Sequence, residues 1–370
     1  MPEDDYLVFK NIRKTFPGVV ALEDISLSVR KGEIHAMLGE NGAGKTTLMN
    51  ILYGLHHADS GEIYFNGERL EDNSPRKAIR RGIGMIHQHF MLIPVFTVLE
   101  NIALGQPSQR PPLLEMDQLS RDVLRIAEKF NIKVDLNALI EDLTVGSQQK
   151  VEILKALYKG AELLILDEPT SVLTPQEIQD LFRLLYELRD GGCTIIFISH
   201  KLNEVMQISD RITVLRDGKV IQTVDKGQTN PNELSRLMVG REVATTLERN
   251  PCCVGEACLA LEHIVLQDKV GRGILKDISL GVCSGEIVGV AGVDDNGQTE
   301  LAEVIAGLRL PSAGSIHMFG EEVTHATTRQ RIEKGLSFIP ADRRNQGLVV
   351  DSSIAENFIL EIYYRQPFTR

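Results

Sequence analysis

Residues 39–46 have the types and spacing of a loop that binds phosphate groups. Gly39-Glu-Asn-Gly-Ala-Gly-Lys45-Thr46 fits the pattern G-x-x-x-x-G-K-[ST] and stands between an apolar strand, Ile34–Leu38, and a helical segment, Lys45–Leu55. Glycines let successive backbone N–H groups converge on one anion, and the start of a helix adds partial positive charge. Lys45 would reach the β- and γ-phosphates of a nucleotide, and Thr46 would bind Mg²⁺. The residues predicted to contact the nucleotide are Gly39, Glu40, Asn41, Gly42, Ala43, Gly44, Lys45, Thr46 and Thr47.

Two adjacent carboxylates follow a second apolar strand. Asp167 and Glu168 come directly after Leu163–Leu166, and the carboxyl end of such a strand lies beside the phosphate loop in a parallel α/β sheet. Asp167 would hold Mg²⁺, directly or through water. Glu168 would orient or deprotonate an attacking water. A solvated acidic turn is the simpler interpretation of the pair alone, but beside the phosphate loop the pair predicts nucleotide hydrolysis.

Short apolar runs alternate with helical patterns over the first 240 residues, which predicts an α/β fold with a parallel core sheet. Extra strands in the first 70 residues predict an antiparallel layer attached to that core. The predicted strands are Leu7–Ile12, Ile25–Val29, Ile34–Leu38, Ile63–Phe65, Ile83–Ile86, Leu163–Leu166, Thr194–Ile198, Ile212–Leu215 and Val220–Val224. The predicted helices are Lys45–Leu55, Leu119–Phe130, Gln148–Tyr158, Gln176–Leu188 and Asn232–Met238.

The chain contains an internal repeat. Gly32-Glu33-Ile34 recurs as Gly285-Glu286-Ile287, an offset of 253 residues (285 − 32). After a three-residue insertion near 343–347, Val98–Ile102 matches Ile354–Phe358. A period this long indicates two copies of one domain and not a solenoid. We predict a first domain over residues 1–240, a linker over 241–257 and a truncated second domain over 258–370.

Composition and charge exclude several classes of protein. The chain has 370 residues, a net charge of −11 and 43% hydrophobic residues. The negative charge argues against a nucleic-acid partner, because such proteins usually present a basic surface. No apolar run approaches the ~20 residues that span a bilayer, and the N-terminus lacks the pattern of a secretory signal. These features predict a soluble, cytosolic protein.

The five cysteines fit a reducing compartment. Cys252, Cys253 and Cys258 lie close together in the sequence, but they have neither a fourth ligand nearby nor a C-x-x-C spacing. We interpret them as thiols in a linker, with a metal site as the alternative.

These motifs, in this order, resemble the nucleotide-binding subunits of ATP-binding cassette (ABC) transporters, of the tandem-cassette type that serves sugar and nucleoside importers. His87–Asn101 and Leu143–Lys155 are most similar to the nucleoside-importer branch. The resemblance covers nearly the whole chain. It implies a P-loop NTPase fold of the ABC type, in which a parallel core sheet has flanking helices and an antiparallel β layer, with a complete first cassette and a partial second one.

The resemblance also implies roles for three residues that their local sequence would not single out. Gln88 matches the glutamine that contacts Mg²⁺ and the attacking water and senses the membrane partner. His200 matches the histidine that contacts the γ-phosphate. Phe16 matches the aromatic residue that stacks on adenine, and a phenylalanine in the core is the alternative.

Residues 143–147 stand where the family has its LSGGQ signature, which faces the γ-phosphate bound by the opposite cassette. Thr144 and Gly146 are expected to contact that phosphate just before a helix predicted to start at Gln148. Val145 and Ser147 depart from the glycine and glutamine of the common signature. Residues 171–174 lack the aspartate usual in the following D-loop, which weakens the expected contact between cassettes. We expect both elements to keep their roles.

The second copy is degenerate. Gln298 stands where the first copy has Lys45, Asp295 where it has Gly42, and Ala341 where it has Gln88. Carboxylates in a loop without a lysine repel phosphate, so hydrolysis is not expected there, and weak nucleotide binding stays open. The counterparts of residues 117–240 would lie beyond the last residue, so we expect another cassette, in a second copy or a separate chain, to complete the ATP site.

The resemblance therefore implies an ATPase, with ATP and Mg²⁺ as its ligands, that energises an importer of nucleosides or simple sugars. It implies a peripheral position on the cytoplasmic face of the cell membrane, with membrane permease subunits and an external solute-binding protein as partners. One alternative is a fragment that binds nucleotide without turnover. The other is an ABC-type ATPase that acts on DNA or the ribosome, which the short, non-basic segment 241–257 disfavours.

Overall fold

A computed structural model describes residues 5–71, 73–88, 90–105, 115–240, 254–268, 271–292, 296–364 and 366–368. The chain divides into two compact units, Met1–Thr245 and Thr246–Arg370. Most of the predicted linker 241–257 lies outside the described residues, as do Cys252, Cys253 and Asp295.

The first unit contains ten strands and eight α-helices within its described residues. Its strands are β1 (Asp5–Phe16), β2 (Val19–Arg30), β3 (Ile34–Leu38), β4 (Ser60–Phe65), β5 (Glu68–Arg69), β6 (Ile83–Ile86), β7 (Leu163–Asp167), β8 (Thr194–Ser199), β9 (Arg211–Arg216) and β10 (Lys219–Asp225). Its helices are α1 (Lys45–Tyr53), α2 (Pro75–Arg80), α3 (Val98–Ala103), α4 (Met116–Lys129), α5 (Val145–Tyr158), α6 (Pro175–Asp190), α7 (Leu202–Ile208) and α8 (Pro231–Val239).

The strands form two sheets, as the sequence predicts. The antiparallel sheet has the order β2-β1-β4-β5, and the larger sheet has the order β10-β9-β3-β8-β7-β6. In the larger sheet only β10 runs antiparallel to its neighbour. Every residue of β3, β7 and β8 is buried, which is typical of parallel strands covered on both faces. The carboxyl ends of β3, β8, β7 and β6 therefore lie side by side along one edge.

Alternate residues of the larger sheet build two different cores. Leu164 and Leu166 pack with residues of α3, α4, α5 and α6. Leu163 and Ile165, one residue out of phase, pack with α1 and the antiparallel sheet. Because side chains alternate across a strand, this arrangement fixes which side chains of each strand face which of the two cores.

Three short helices were not predicted, and several helices begin earlier than predicted, α4 and α5 by three residues each. The helices α2, α3 and α7 have only six or seven residues, too few for a clear helical period. The prediction that a helix starts at Gln148 is wrong, because α5 begins at Val145. Thr144 is its N-cap, and the Thr144 hydroxyl accepts a hydrogen bond from Ser147 N–H at 3.3 Å.

The second unit repeats the antiparallel sheet of the first. The strands β11 (Ala257–Gln267), β12 (Gly273–Cys283), β13 (Ala313–Met318) and β14 (Glu321–Glu322) have the order β12-β11-β13-β14. Three helices are described, α9 (Gln298–Ala306), α10 (Thr328–Glu333) and α11 (Ile354–Ile359). The predicted insertion coincides with a π-helical turn over residues 343–347. Cys258 lies in β11, so the prediction that it belongs to a linker is wrong.

The parallel core is not formed in the second unit within the residues described. Ile287 corresponds to Ile34 of β3, and Ile339 corresponds to Ile86 of β6. The two residues of the first unit are buried, whereas Ile287 is 93% exposed and Ile339 is 88% exposed. In the first unit β3 pairs with β8 and β6 pairs with β7, and no described segment of the second unit supplies the counterparts of β7 and β8.

The second unit also contains a fully buried arginine. Arg331 of α10 donates to Val304 O at 2.7 Å and Ile305 O at 2.8 Å, which are carbonyls of the last turn of α9. It also donates to Thr324 O at 2.9 Å. The first copy has the small residue Ala78 at this position. Arg331 thus satisfies carbonyl groups that would otherwise lack partners in the interior.

Replacement of Arg331 by methionine is expected to destabilise the second unit by about 2–4 kcal/mol, because it leaves buried carbonyls unsatisfied. Hydrogen exchange measured by mass spectrometry should show faster exchange in α9 and β13 and unchanged exchange in β3 and β7. Arg329→Met, on the same helix but exposed, is the control and should cost under about 1 kcal/mol. Equal effects of the two substitutions would contradict this role for Arg331.

Candidate active site

The phosphate loop follows β3 and has a backbone that requires glycine. Gly42 and Gly44 have φ values of 85° and 96°, in the left-handed region. A Cβ at Gly39 would lie 2.4 Å from Leu215 O, and a Cβ at Gly44 would lie 2.7 Å from Ala21 O. The helix α1 then begins at Lys45 with neither a side-chain cap nor an acidic residue in its first turn. Its first N–H groups therefore suit an external anion.

Lys45 lies folded against its own loop. The side chain is buried, and Nζ donates to Gly39 O at 2.8 Å and to Glu40 O at 2.9 Å. Burial lowers the pKa of Lys45, although Glu168 and Asp167 favour its charged form. The two carbonyl oxygens carry only partial negative charge, so they stabilise the Lys45 cation less than a phosphate group would. Of the remaining loop residues, Glu40, Asn41, Gly42 and Thr46 are exposed, Thr47 is half-buried, and Ala43 and Gly44 are buried.

Thr46 and Asp167 form a pair of oxygen ligands suited to Mg²⁺. Thr46 Oγ1 donates to Asp167 Oδ1 at 3.2 Å, so the end of β7 lies beside the start of α1. Burial raises the pKa of Asp167, which means that this carboxylate lacks full compensation of its charge. Within the part of the chain described here, no cluster of three or more acidic, histidine or cysteine side chains could hold a metal alone. A hydroxyl and one carboxylate, completed by phosphate oxygens and water, fit Mg²⁺.

Glu168 and His200 are joined by a hydrogen bond. His200 follows β8, and its Nδ1 lies 2.9 Å from Glu168 Oε1. Glu168 has a φ of 47°, which is uncommon for a residue other than glycine. Its N–H donates to Ile198 O at 3.1 Å, which holds this backbone against β8. The predicted base and the predicted histidine therefore belong to one unit at the sheet edge.

Gln88 and Phe16 lie at the surface. Gln88 comes two residues after β6, the strand next to β7, and its side chain is exposed. Among the described residues it makes no recorded hydrogen bond to Asp167 or Glu168, so its contact with the reaction stays a prediction. Phe16 ends β1 and is 38% exposed, which contradicts the alternative of a core phenylalanine. Its ring packs edge-on against His56, with centroids 5.5 Å apart.

The start of α5 is already in contact with a carboxylate that the sequence analysis missed. Gly146 N–H donates to Glu177 Oε1 at 3.2 Å, and Gly146 is buried. In this conformation Gly146 N–H is therefore already paired, and its contact with a phosphate of the opposite cassette stays a prediction. Glu177 follows Thr174 by three residues, and the two form a capping box at the start of α6. The spacing T-x-x-E was the available signal, but it does not reveal the contact with α5.

Comparisons with known proteins agree with this geometry. The ABC transporter family profile matches residues 22–171 and 275–366. The chain is 48% identical, over 97% of its length, to the guanosine import ATP-binding protein NupO of Bacillus subtilis, of which it covers 70%. It is 43% identical over its whole length to the nucleoside import ATP-binding protein NupA of Lactococcus lactis, covering 73%. The glucose import ATP-binding protein TsgD13 of Haloferax volcanii is 45% identical, with 72% covered.

Solved structures give the same result. A nucleotide-free ATP-binding cassette from an ABC transporter matches with a TM-score of 0.56 and 27% identity, covering 64% of this chain and 96% of that one. A dimeric cassette bound to ADP and phosphate matches with a TM-score of 0.52 and 28% identity, covering 60% of this chain and 98% of that one. Among the described helices, none has the length and apolar character needed to cross a membrane.

Asp167→Asn is expected to raise the unfolding temperature of the nucleotide-free protein at neutral pH, because it removes a buried, incompletely compensated charge. Since the folded pKa of Asp167 lies above the usual value, the destabilisation that its charge causes should fade as the pH falls through that folded pKa, so the advantage of the variant over the unmodified protein should shrink. Mg²⁺ should raise the unfolding temperature of the ATP-bound unmodified protein further but not that of the variant.

Differential scanning calorimetry with and without Mg·ATP provides this measurement. Asp190→Asn, with an exposed side chain at the end of α6, is the matched control and should retain the Mg²⁺ effect. An Asp167→Asn protein that Mg²⁺ still stabilises as much as the unmodified chain would exclude Asp167 as a ligand.

Proposed function

The chain belongs to the ABC transporter family, and we propose that its first unit binds and hydrolyses ATP to energise the import of a nucleoside or a simple sugar. The observation that carries this proposal is the convergence of Lys45, Asp167 and Glu168 at one edge of the parallel sheet. The solute class rests on the relatives, whose names assign them to guanosine, nucleoside or glucose import.

Each group in the first unit has a task that follows from its position. The N–H groups at the start of α1 bind the phosphates, and Lys45 exchanges its two carbonyl partners for phosphate oxygens. When bound, Mg²⁺ neutralises phosphate charge, and Thr46 and Asp167 hold it. Glu168 orients the attacking water and accepts its proton. His200 holds the Glu168 carboxylate through Nδ1 and contacts the γ-phosphate.

A second cassette completes the site in this proposal. Thr144 and Gly146 at the start of α5 would face the γ-phosphate bound by the opposite cassette, so two cassettes pair head to tail around ATP. Closure of the pair would drive the permease from one state to the other, and hydrolysis would reopen the pair. The partner cassette is another copy of this chain or a separate chain.

The permease would dock in a cleft beside the residues that follow β6. The cleft has a volume of about 190 Å³, and Tyr53, Met85, Met91, Glu152 and Lys155 contribute to its lining. Glu152 of α5 accepts from Met91 N–H at 2.9 Å, and Lys155 donates to Met91 O at 3.1 Å. These two hydrogen bonds hold the Met91 backbone against α5, the signature helix, and Met91 follows Gln88 by three residues. A partner that moves the exposed Met91 side chain would therefore act on the signature helix and on Gln88.

Mg·ATP hydrolysis by the purified chain should increase faster than linearly with protein concentration, because two cassettes must meet. Glu168→Gln should reduce turnover at least ~100-fold, since the base is lost, while ATP binding remains. Lys45→Ala should weaken ATP binding itself by more than about tenfold, because phosphate loses its buried cation. Phosphate release measures turnover, and a fluorescent ATP analogue measures binding.

Three results of these assays would contradict the proposal in different ways. Absence of Mg·ATP binding would exclude an ATP-binding role for the first unit. Binding without turnover at every concentration would instead favour the alternative of a nucleotide-binding fragment. Turnover that persists unchanged in Glu168→Gln would come from a contaminant or from another base.

Met91→Glu is expected to reduce recovery of the permease with the tagged chain from detergent-solubilised membranes, because it places a charge in the apolar part of the docking cleft. Leu55→Glu, at another exposed apolar residue outside the cleft, is the control. Quantitative immunoblotting of the tagged permease measures the recovery. Equal recovery with both variants would exclude this cleft as the docking site.

A further inference from the structure

Glu177 contacts two different helix starts with its two oxygens. Oε2 accepts from Thr174 N–H at 3.0 Å and from Thr174 Oγ1 at 2.9 Å, which caps α6. Oε1 accepts from Gly146 N–H at 3.2 Å, at the second residue of α5. A Cβ on Gly146 would lie 2.6 Å from the same Oε1, so the carboxylate packs directly against this backbone. Glu177 therefore occupies the N-terminal end of the signature helix.

The other capping boxes in the described chain lack this second contact. Glu100 uses Oε2 for Thr97 N–H at 2.7 Å, and Glu356 uses Oε2 for Ser353 N–H at 2.7 Å. Gln330 fills the same role for Thr327 N–H at 2.8 Å, so a glutamine caps a helix in this protein as well as a glutamate does. The contact between Glu177 Oε1 and α5 is thus an addition to the capping box and is not needed for it.

Glu177 carries its charge at this point. Burial tends to raise the pKa of Glu177, but hydrogen bonds from Thr174 and from Gly146 N–H outweigh it and lower the pKa. An ionised carboxylate beside a helix start is favoured by the partial positive charge of the helix. The same charge repels a second anion that approaches within a few ångströms.

We infer that Glu177 is an internal competitor of the γ-phosphate, which holds the Gly146 N–H of the signature helix until a nucleotide-loaded cassette displaces its Oε1. This inference rests on the proposed function, since it concerns the same composite site. Glu177 would then leave ATP binding at Lys45 unaffected. It would weaken pairing with a second cassette, compared with a signature helix that lacked the Glu177 contact. Pairing would require Glu177 Oε1 to leave Gly146 while Oε2 keeps the cap of α6.

Glu177→Gln tests this role. The amide oxygen can cap α6 as Gln330 caps α10, while the negative charge beside Gly146 is lost. In the Glu168→Gln background, where ATP is not consumed, the substitution should lower the concentration at which Mg·ATP causes self-association by about 5–10-fold. Sedimentation velocity over a concentration series measures the midpoint. Glu100→Gln in the same background removes a capping carboxylate of the same type and should leave the midpoint within twofold.

The same samples separate failure of this inference from failure of the proposed function. Binding of a fluorescent ATP analogue to the dilute protein needs only the phosphate loop, and it also shows that each variant is folded. If none of the proteins binds the analogue, the proposed function is wrong. If they bind it and the Glu177→Gln protein associates no better than its parent, or does not associate, Glu177 is not a competitor. A purely structural cap predicts an unchanged or higher midpoint.

Discussion

Desolvation of opposite charges at the edge of the parallel sheet is the constraint on which the first unit depends. Burial lowers the pKa of Lys45 and raises that of Asp167, so each group is shifted toward its neutral form. A ligand that brings phosphate to Lys45 and a cation to Asp167 would relieve both shifts. The fully buried strands β3 and β7 hold the two groups close enough for this to happen.

The second unit shows how strongly this arrangement depends on the neighbouring strands. Its antiparallel sheet has the same order as that of the first unit, and Gly297 before α9 has a φ of 98° where Gly44 has 96°. The turn before α9 needs only local sequence, and the antiparallel sheet pairs strands that all lie within residues 257–322. The segment that corresponds to β3 lacks paired neighbours among the described residues, and Ile287 stays exposed. Local sequence thus forms the loop-to-helix turn, whereas only long-range pairing forms the sheet that supports a catalytic edge.

Much of the fold, the glycine-rich phosphate loop and the acidic pair after β7 could be predicted because each of them is local in the sequence. The phosphate loop, the strand before it and Asp167 with Glu168 are continuous in sequence, and their physical roles follow from residue type. The early start of α5 was missed because Val145 and Gly146 are poor helix formers, and the Thr144 cap overrides that preference. Glu177 was missed because its contact with Gly146 joins residues 31 positions apart. No spacing rule reports such a contact.

The geometry of the α5 start explains which departures from the family signature the chain can accommodate. Val145 is the first helical residue and is 37% exposed, so a side chain there meets solvent and the common glycine is not required. Gly146, one residue later, packs against the Glu177 carboxylate, so a Cβ there would displace that side chain. Thr174 caps α6 with its hydroxyl, as an aspartate would with its carboxylate. The substitutions therefore fall where backbone geometry is indifferent to them, and the glycine that remains is the one that lies against the Glu177 carboxylate.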